Sequence, residues 1–314
     1  MTPTLRAPSD RLPVQRRVST GRLPDFLIVV AAKSGTSSLF SYLCAHPALF
    51  GSTPKEPCFF DPEVNLDRGL GWYRGLFADA EPWQLCGEAS TNYTRFPQVQ
   101  GVPERIKATL PDAKLIYLMR HPVERAYSHY VHAFTKEEYP REPFDLSFEA
   151  FSAAYPRCLD GSDYALQLGR YFEHFPREQV LLLFYEDLER DPGALCREVF
   201  EFLGVDPSFD PFGAAPPARE NVSVTFREGR VRGELTGPLK VVPGLRLLGQ
   251  WLGPRGRDAL YGLLRHSPYG RRVGKAFEPQ PMTPRMRELL LRRYMPTVDY
   301  LEELTGRDLS AWRE

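Results

Sequence analysis

An excess of charge of one sign, a disulfide-forming cysteine pattern and long apolar runs are all missing from this 314-residue chain. Lys plus Arg and Asp plus Glu both number 40, so the net charge of zero gives no global electrostatic reason to bind nucleic acid. Any anion site has to be built locally. The five cysteines, Cys44, Cys58, Cys86, Cys158 and Cys196, are odd in number and far apart, with no CxxC pair. That argues against a disulfide framework and against a cysteine zinc site, and it favours a reducing compartment. No stretch reaches the roughly 18 consecutive apolar residues of a membrane-spanning helix. The opening MTPTLRAPSDRLPVQRRVSTGRLP also lacks the apolar centre of a secretion signal. A cytoplasmic protein is expected, with residues 1–23, rich in Pro, Arg and Ser, forming a mobile tail.

Three apolar runs are present instead. FLIVVAA (Phe26–Ala32), KLIYLM (Lys114–Met119) and VLLLFY (Val180–Tyr185) have the continuous apolar character of strands covered on both faces of a parallel sheet. Leu85–Ala89 adds a shorter candidate. Each long run leads into a helix-compatible stretch: SSLFSYLCAH, then VERAYSHYVHAF with Pro122 in its first turn, then DPGALCREVFEFLG closing on Gly204. This alternation predicts an α/β fold of three layers, with a central, mainly parallel β-sheet flanked by helices and right-handed crossovers. At 42% hydrophobic and 12% aromatic residues, the chain supports one domain over residues 24–314. Between about Thr236 and Pro284 the texture turns to Gly, Pro, Arg and Leu, which predicts a helical cap or insertion. MRELLLRRYMPTVDYLEELTG then closes the chain as a C-terminal helical addition.

Ligands in such folds bind at the carboxyl ends of the strands. After the first run comes AAKSGTSSL, with Lys33, Ser34, Gly35, Thr36, Ser37 and Ser38 between strand and helix. Backbone N–H groups, a helix N-terminus and hydroxyls converge in such a turn, which suits a phosphate-like or sulfate-like group. Gly35 permits close backbone approach, and Lys33 supplies a mobile cation for charge developing on a leaving oxygen. A nucleotide kinase would carry its lysine after the last glycine, in GxxxxGK[ST]; here lysine precedes glycine.

After the second run comes Arg120, and eight residues on, Ser128 lies in the following helix. A planar guanidinium fork with a helical serine on the same side suits a phosphate monoester. Between these segments, TPKEPCFFD holds Lys55 and Glu56 in a loop braced by Pro54, Pro57 and two aromatics. A braced carboxylate meets the positional demand on a general base, and Glu56 is the expected proton acceptor. Read alone, each segment also has an ordinary structural meaning: hydroxyls capping a helix, Arg120 paired with Glu124, or a loop acid paired with Lys55.

Together the three segments resemble the PAPS-dependent sulfotransferases, most closely the heparan-sulfate type and its bacterial relatives. AAKSGTSSLFSYLCAHP is similar to that family's 5'-phosphosulfate loop, LIYLMRHPVERAYSHY to its 3'-phosphate motif, and KEPCFFD to a KEPHFFD segment whose glutamate is the base. The likeness continues through YEDLERDPGALCREVFEFLGV to LEELTGRDLSAW. It implies a P-loop NTPase-like sulfotransferase fold and a 3'-phosphoadenosine 5'-phosphosulfate (PAPS) co-substrate, released as 3'-phosphoadenosine 5'-phosphate (PAP). Lys33 to Ser38 would hold the phosphosulfate, and Arg120 with Ser128 the 3'-phosphate. SVTFREGRVRG is similar in position to a later cofactor loop, which implicates Arg227, Gly229 and Arg230. Where the heparan enzymes often read EKS, this chain reads EAS with Ala89, a departure from a heparan-like acceptor site.

In-line sulfuryl transfer needs positioning and charge stabilisation, and no metal is expected. Lys55, Glu88 and Ser90 are candidate acceptor contacts, with Thr91 beside them and Glu88 as a reserve base. His132 shares the face of Ser128 and is an alternative base; His129 points away from that face. The expected acceptor is a small molecule, a glycan or a lipid. The basic, apolar stretch around residues 239–275 is read as a cap, with peripheral membrane contact as its alternative. Two other functions remain: a non-catalytic PAPS- or PAP-binding protein, and a nucleotide-dependent kinase.

Overall fold

The computed structural model describes residues 21–135, 147–213, 253–269 and 279–314. Arg227, Gly229, Arg230 and most of the expected cap lie outside those residues, as do residues 1–20.

Five parallel strands form one sheet: β1 (Phe26–Val29), β2 (Leu49–Gly51), β3 (Leu85–Ser90), β4 (Lys114–Met119) and β5 (Val180–Phe184). Their order is β2-β3-β1-β4-β5, with Phe26 in register with Gly87 on one side and Lys114 on the other. The apolar runs are continuous because both faces are covered. Leu27, Val29, Leu115, Tyr117, Met119 and Phe184 enter one core, while Phe26, Ile28, Val30, Ile116, Leu118 and Leu183 enter the other. The second core is closed by α1 (Thr36–Cys44) and, far along the chain, α9 (Pro192–Leu203). The first is closed by α2 (Gly69–Gly75), α3 (Val102–Thr109), α7 (Tyr164–Phe172) and the C-terminal helix.

Strand β1 is shorter than the apolar run that announced it. Val30 to Ala32 leave the sheet for the anion turn, where the Ala32 carbonyl accepts from Arg125 Nη1 at 3.1 Å. Strand β2, three residues long and at the sheet edge, carries too few residues to show a period.

Helix α4 (Pro122–Thr135) begins on its proline, as the missing N–H permits at a first turn. Val123, Ala126, Tyr130 and Ala133 bury against α5 (Phe148–Ala154), α6 (Arg157–Asp160) and the C-terminal helix. Its other face carries Arg125, Ser128 and His132, which the helical repeat sets in line towards β1. The short α8 (Tyr185–Arg190) follows β5 without a loop. Capping by Asp191, which accepts from Ala194 N–H, starts α9, and left-handed Gly204 ends it. Part of the expected cap is described: α10 (Gly253–His266) is helical. The terminal α11 (Pro284–Thr305) is capped by Thr283 and stops at left-handed Gly306, followed by a 3-10 turn at Ser310–Arg313. Among the described residues, no helix is long and apolar enough to cross a membrane.

Candidate active site

Every residue with chemistry in it follows the carboxyl end of a strand: Lys33 to Ser38 after β1, Lys55 and Glu56 after β2, Thr91 after β3, Arg120 after β4, Tyr185 and Glu186 after β5. Gly35 takes φ 90° at the head of α1, and a Cβ there would stand 2.7 Å from the Tyr185 ring. Only glycine fits that position. No side chain caps α1, so its first-turn N–H groups are open to an anion. The Thr36 hydroxyl is buried and has no hydrogen-bond partner among the described residues. An uncapped helix end, a buried unpaired hydroxyl and two nearby cations fit a phosphate- or sulfate-bearing ligand.

Lys33 Nζ lies 3.3 Å from His132 Nδ1, which joins the anion turn to the Ser128 face of α4. Arg120 Nη1 donates to the Lys33 carbonyl at 3.4 Å, and its guanidinium lies 4.7 Å from the Tyr185 ring centre. The two expected anion-binding segments therefore meet. Ser128 sits half-buried one turn before His132 on the same face. His129 is a poor base, because burial, with Arg125 second, pushes its imidazole well below the usual range.

Lys55 ties the loop acid to the anion turn: its Nζ donates to Ser37 Oγ at 2.6 Å and to Glu56 Oε1 at 3.3 Å. Thr91 Oγ1 donates to Glu56 Oε2 at 2.9 Å, so both carboxylate oxygens are oriented. The backbone here is strained, with Lys33 at φ 80°, Glu56 at 60° and Cys58 at 48°. Non-glycine residues in that region cost about 1–3 kcal/mol each and persist where the surroundings over-determine them. Asp61 anchors the loop from its far end, accepting from Asn92 Nδ2 and Glu63 N–H at 2.9 Å and facing Arg95. Burial pushes the Cys58 thiol up to about 12, so it stays protonated.

Glu88 and Ser90, the candidate acceptor contacts in β3, are both 0% exposed. Strand alternation turns Glu88 into the core face of the sheet. There its carboxyl accepts from Tyr73 and Tyr93 hydroxyls at 2.7 Å each and from Ser90 Oγ. Ser90 Oγ in turn accepts from the Cys58 N–H at 3.0 Å, so Glu88 supports the Glu56 loop from beneath. Glu88→Ala strands three hydroxyls and is expected to cost about 3 kcal/mol in urea unfolding. Burial raises the Glu88 pKa. The stability tied to its protonation is thus complete at acid pH and declines as pH rises through the raised value. Glu88→Gln should remove that slope.

Three contributors escaped the sequence. Arg125, 1% exposed, holds the Ala32 carbonyl, Ser162 Oγ and the Cys158 carbonyl. Tyr164 brackets Arg120, and Tyr185 supports its guanidinium.

A parallel sheet with an anion cradle after β1, an arginine after β4 and a loop carboxylate beside them defines an α/β group-transfer fold of the P-loop NTPase-like kind. A family model described as sulfotransferase domain matches residues 23–221, and the chain belongs to the PAPS-dependent sulfotransferase family. It is 35% identical over 209 residues to mouse heparan sulfate glucosamine 3-O-sulfotransferase 6, covering 64% of this chain and 57% of that one. Over 205 residues it is 30% identical to human bifunctional heparan sulfate N-deacetylase/N-sulfotransferase 3, covering 60% of this chain and 23% of that one. The chain thus spans less than two-thirds of either relative. A solved sulfotransferase from Alicyclobacillus acidocaldarius superposes with a TM-score of 0.65 at 28% identity, covering 93% of this chain and 100% of that one.

Proposed function

We propose that this chain transfers the sulfuryl group of PAPS to a hydroxyl or amine, with Glu56 as general base and Lys33 stabilising the leaving phosphate. The observation that carries this reading is the Lys55 ammonium shared between Ser37 of the anion turn and the Glu56 carboxylate, which couples base and cradle within one hydrogen-bond network. PAPS supplies an activated sulfuryl group: the acceptor oxygen or nitrogen bonds to sulfur as the sulfur–oxygen bond to phosphate breaks with its electrons on the phosphate.

The first-turn N–H groups of α1, with Gly35, Thr36, Ser37 and Ser38, would cradle the 5'-phosphosulfate, with Ser34 buried beneath the turn. Arg120, aligned by Tyr185, would take the 3'-phosphate with Ser128 beside it. Glu56 Oε would receive the acceptor proton while Thr91 and Lys55 fix its orientation. Lys33 would move from His132 towards the bridging oxygen as charge gathers there. A glycan acceptor bearing glucosamine is supported by the relatives, whose names carry both N- and O-sulfation of heparan sulfate. The chain's own Ala89, fully buried, leaves that strand position without a cation.

Calorimetry without magnesium, comparing PAP with ATP, tests the donor assignment. Wild type should prefer PAP, and Arg120→Ala should lose that preference, weakening PAP about tenfold or more, as expected for loss of a charge-assisted fork. Equal affinity for the two nucleotides in wild type would reinstate the kinase reading.

A further inference from the structure

The C-terminal turn has no role in the proposed reaction, yet it packs on side chains that surround the residue assigned to the 3'-phosphate. Trp312, 5% exposed, packs on three rings, with centroids 6.0 Å from His121, 6.2 Å from Tyr164 and 5.6 Å from Phe184. All three belong to the grip on Arg120. The Tyr164 hydroxyl accepts from the Arg120 N–H at 3.1 Å and donates to the Arg120 carbonyl at 2.7 Å. The His121 N–H donates to Glu186 Oε1 at 2.9 Å, and His121 Nδ1 accepts from the Val123 N–H at 3.2 Å, capping α4. Phe184 precedes Tyr185, over which the Arg120 guanidinium lies. The Arg307 guanidinium, paired with Asp187, stacks on Phe184 at 4.2 Å and holds that side in place.

A guanidinium fork recognises phosphate only while its backbone is fixed, because a small rotation of the turn separates both donors from their oxygens. Tyr164 and His121 can fix that backbone only if their own rings are held, and Trp312 is the ring they share. We propose that Trp312 is a positioning residue for recognition of the donor's 3'-phosphate, acting through Tyr164 and His121 on the Arg120 turn. This rests on the assignment of Arg120 to that phosphate.

The test is calorimetric affinity for PAP and for adenosine 5'-monophosphate, which lacks the 3'-phosphate, in wild type, Trp312→Ala, Trp312→Phe and Tyr164→Phe. Trp312→Ala and Tyr164→Phe should weaken PAP by about tenfold or more, the scale set by misplacing a bound group, while leaving the monophosphate unchanged. Trp312→Phe should restore most of the preference. A folded Trp312→Ala that keeps the wild-type ratio overturns the proposal, and so does an equal loss for both nucleotides, which marks general loosening. If Trp312→Ala does not fold, a wild-type ratio in Tyr164→Phe overturns it. A wild type that does not distinguish the two nucleotides removes the donor assignment itself, which separates that failure from this one.

Discussion

Lys33→Ala should fold normally, bind PAP and lose ~10²-fold or more of its turnover, the scale on which one preorganised donor acts in a transition state. The residue sits in a turn held by other groups: Arg120 bonds the Lys33 carbonyl and Arg125 bonds the Ala32 carbonyl, and neither contact needs the lysine side chain. The ammonium itself meets His132 Nδ1 and is half-exposed, so its removal leaves no buried charge. Its effect should therefore fall on kcat rather than on nucleotide affinity. Release of PAP from PAPS, followed with a panel of glucosamine oligosaccharides, phenols and lipids, supplies the rate. Normal turnover with any acceptor would end the assignment of Lys33 to the leaving phosphate.

Glu56→Gln is expected to lower kcat by roughly 10²–10⁴-fold, the usual contribution of a positioned general base. Glutamine keeps the size of the side chain and can still accept from Lys55, so the loop should stay in place. The Glu56 side chain is 37% exposed, and its replacement should leave the melting temperature within a few degrees of wild type. PAP affinity should also hold, because Ser37 and the α1 N-terminus remain. A Glu56→Gln enzyme that turns over like wild type would transfer the role of base to His132, whose Nδ1 lies 3.3 Å from Lys33 Nζ. Loss of PAP affinity in the same variant would instead mark Glu56 as part of the donor cradle.

Glu88 and Glu56 explain why some of the site was legible and some was not. Both are acids, Glu56 between Lys55 and Pro57 and Glu88 between Gly87 and Ala89, and neither set of neighbours states which acid the sheet buries. Strand alternation buries Glu88 under two tyrosines, whereas Glu56 follows an edge strand and leaves the sheet in a loop at φ 60°. The anion turn was readable because glycine, lysine and hydroxyls between strand and helix have few other uses, and backbone geometry there is a local property. Arg125, Tyr164 and Trp312 were unreadable because their partners lie far along the chain: Ala32 for Arg125, Arg120 for Tyr164, and His121 and Phe184 for Trp312.

Strand β4 runs over the residues its apolar run marked, α4 starts on Pro122, and Gly204 and Gly306 stop their helices. Apolar period, ring-locked φ and freedom at positive φ belong to a few neighbouring residues, so the sequence alone determined the α/β class, the strand-to-helix turns and the residue types set in the turn after β1. Only the tertiary structure decided that Lys55 bridges Ser37 and Glu56, that Glu88 lies buried under Tyr73 and Tyr93, and that the last residues brace Arg120. Those outcomes depend on which strands lie side by side and which faces their side chains take, and both are fixed when two separate cores close on one sheet.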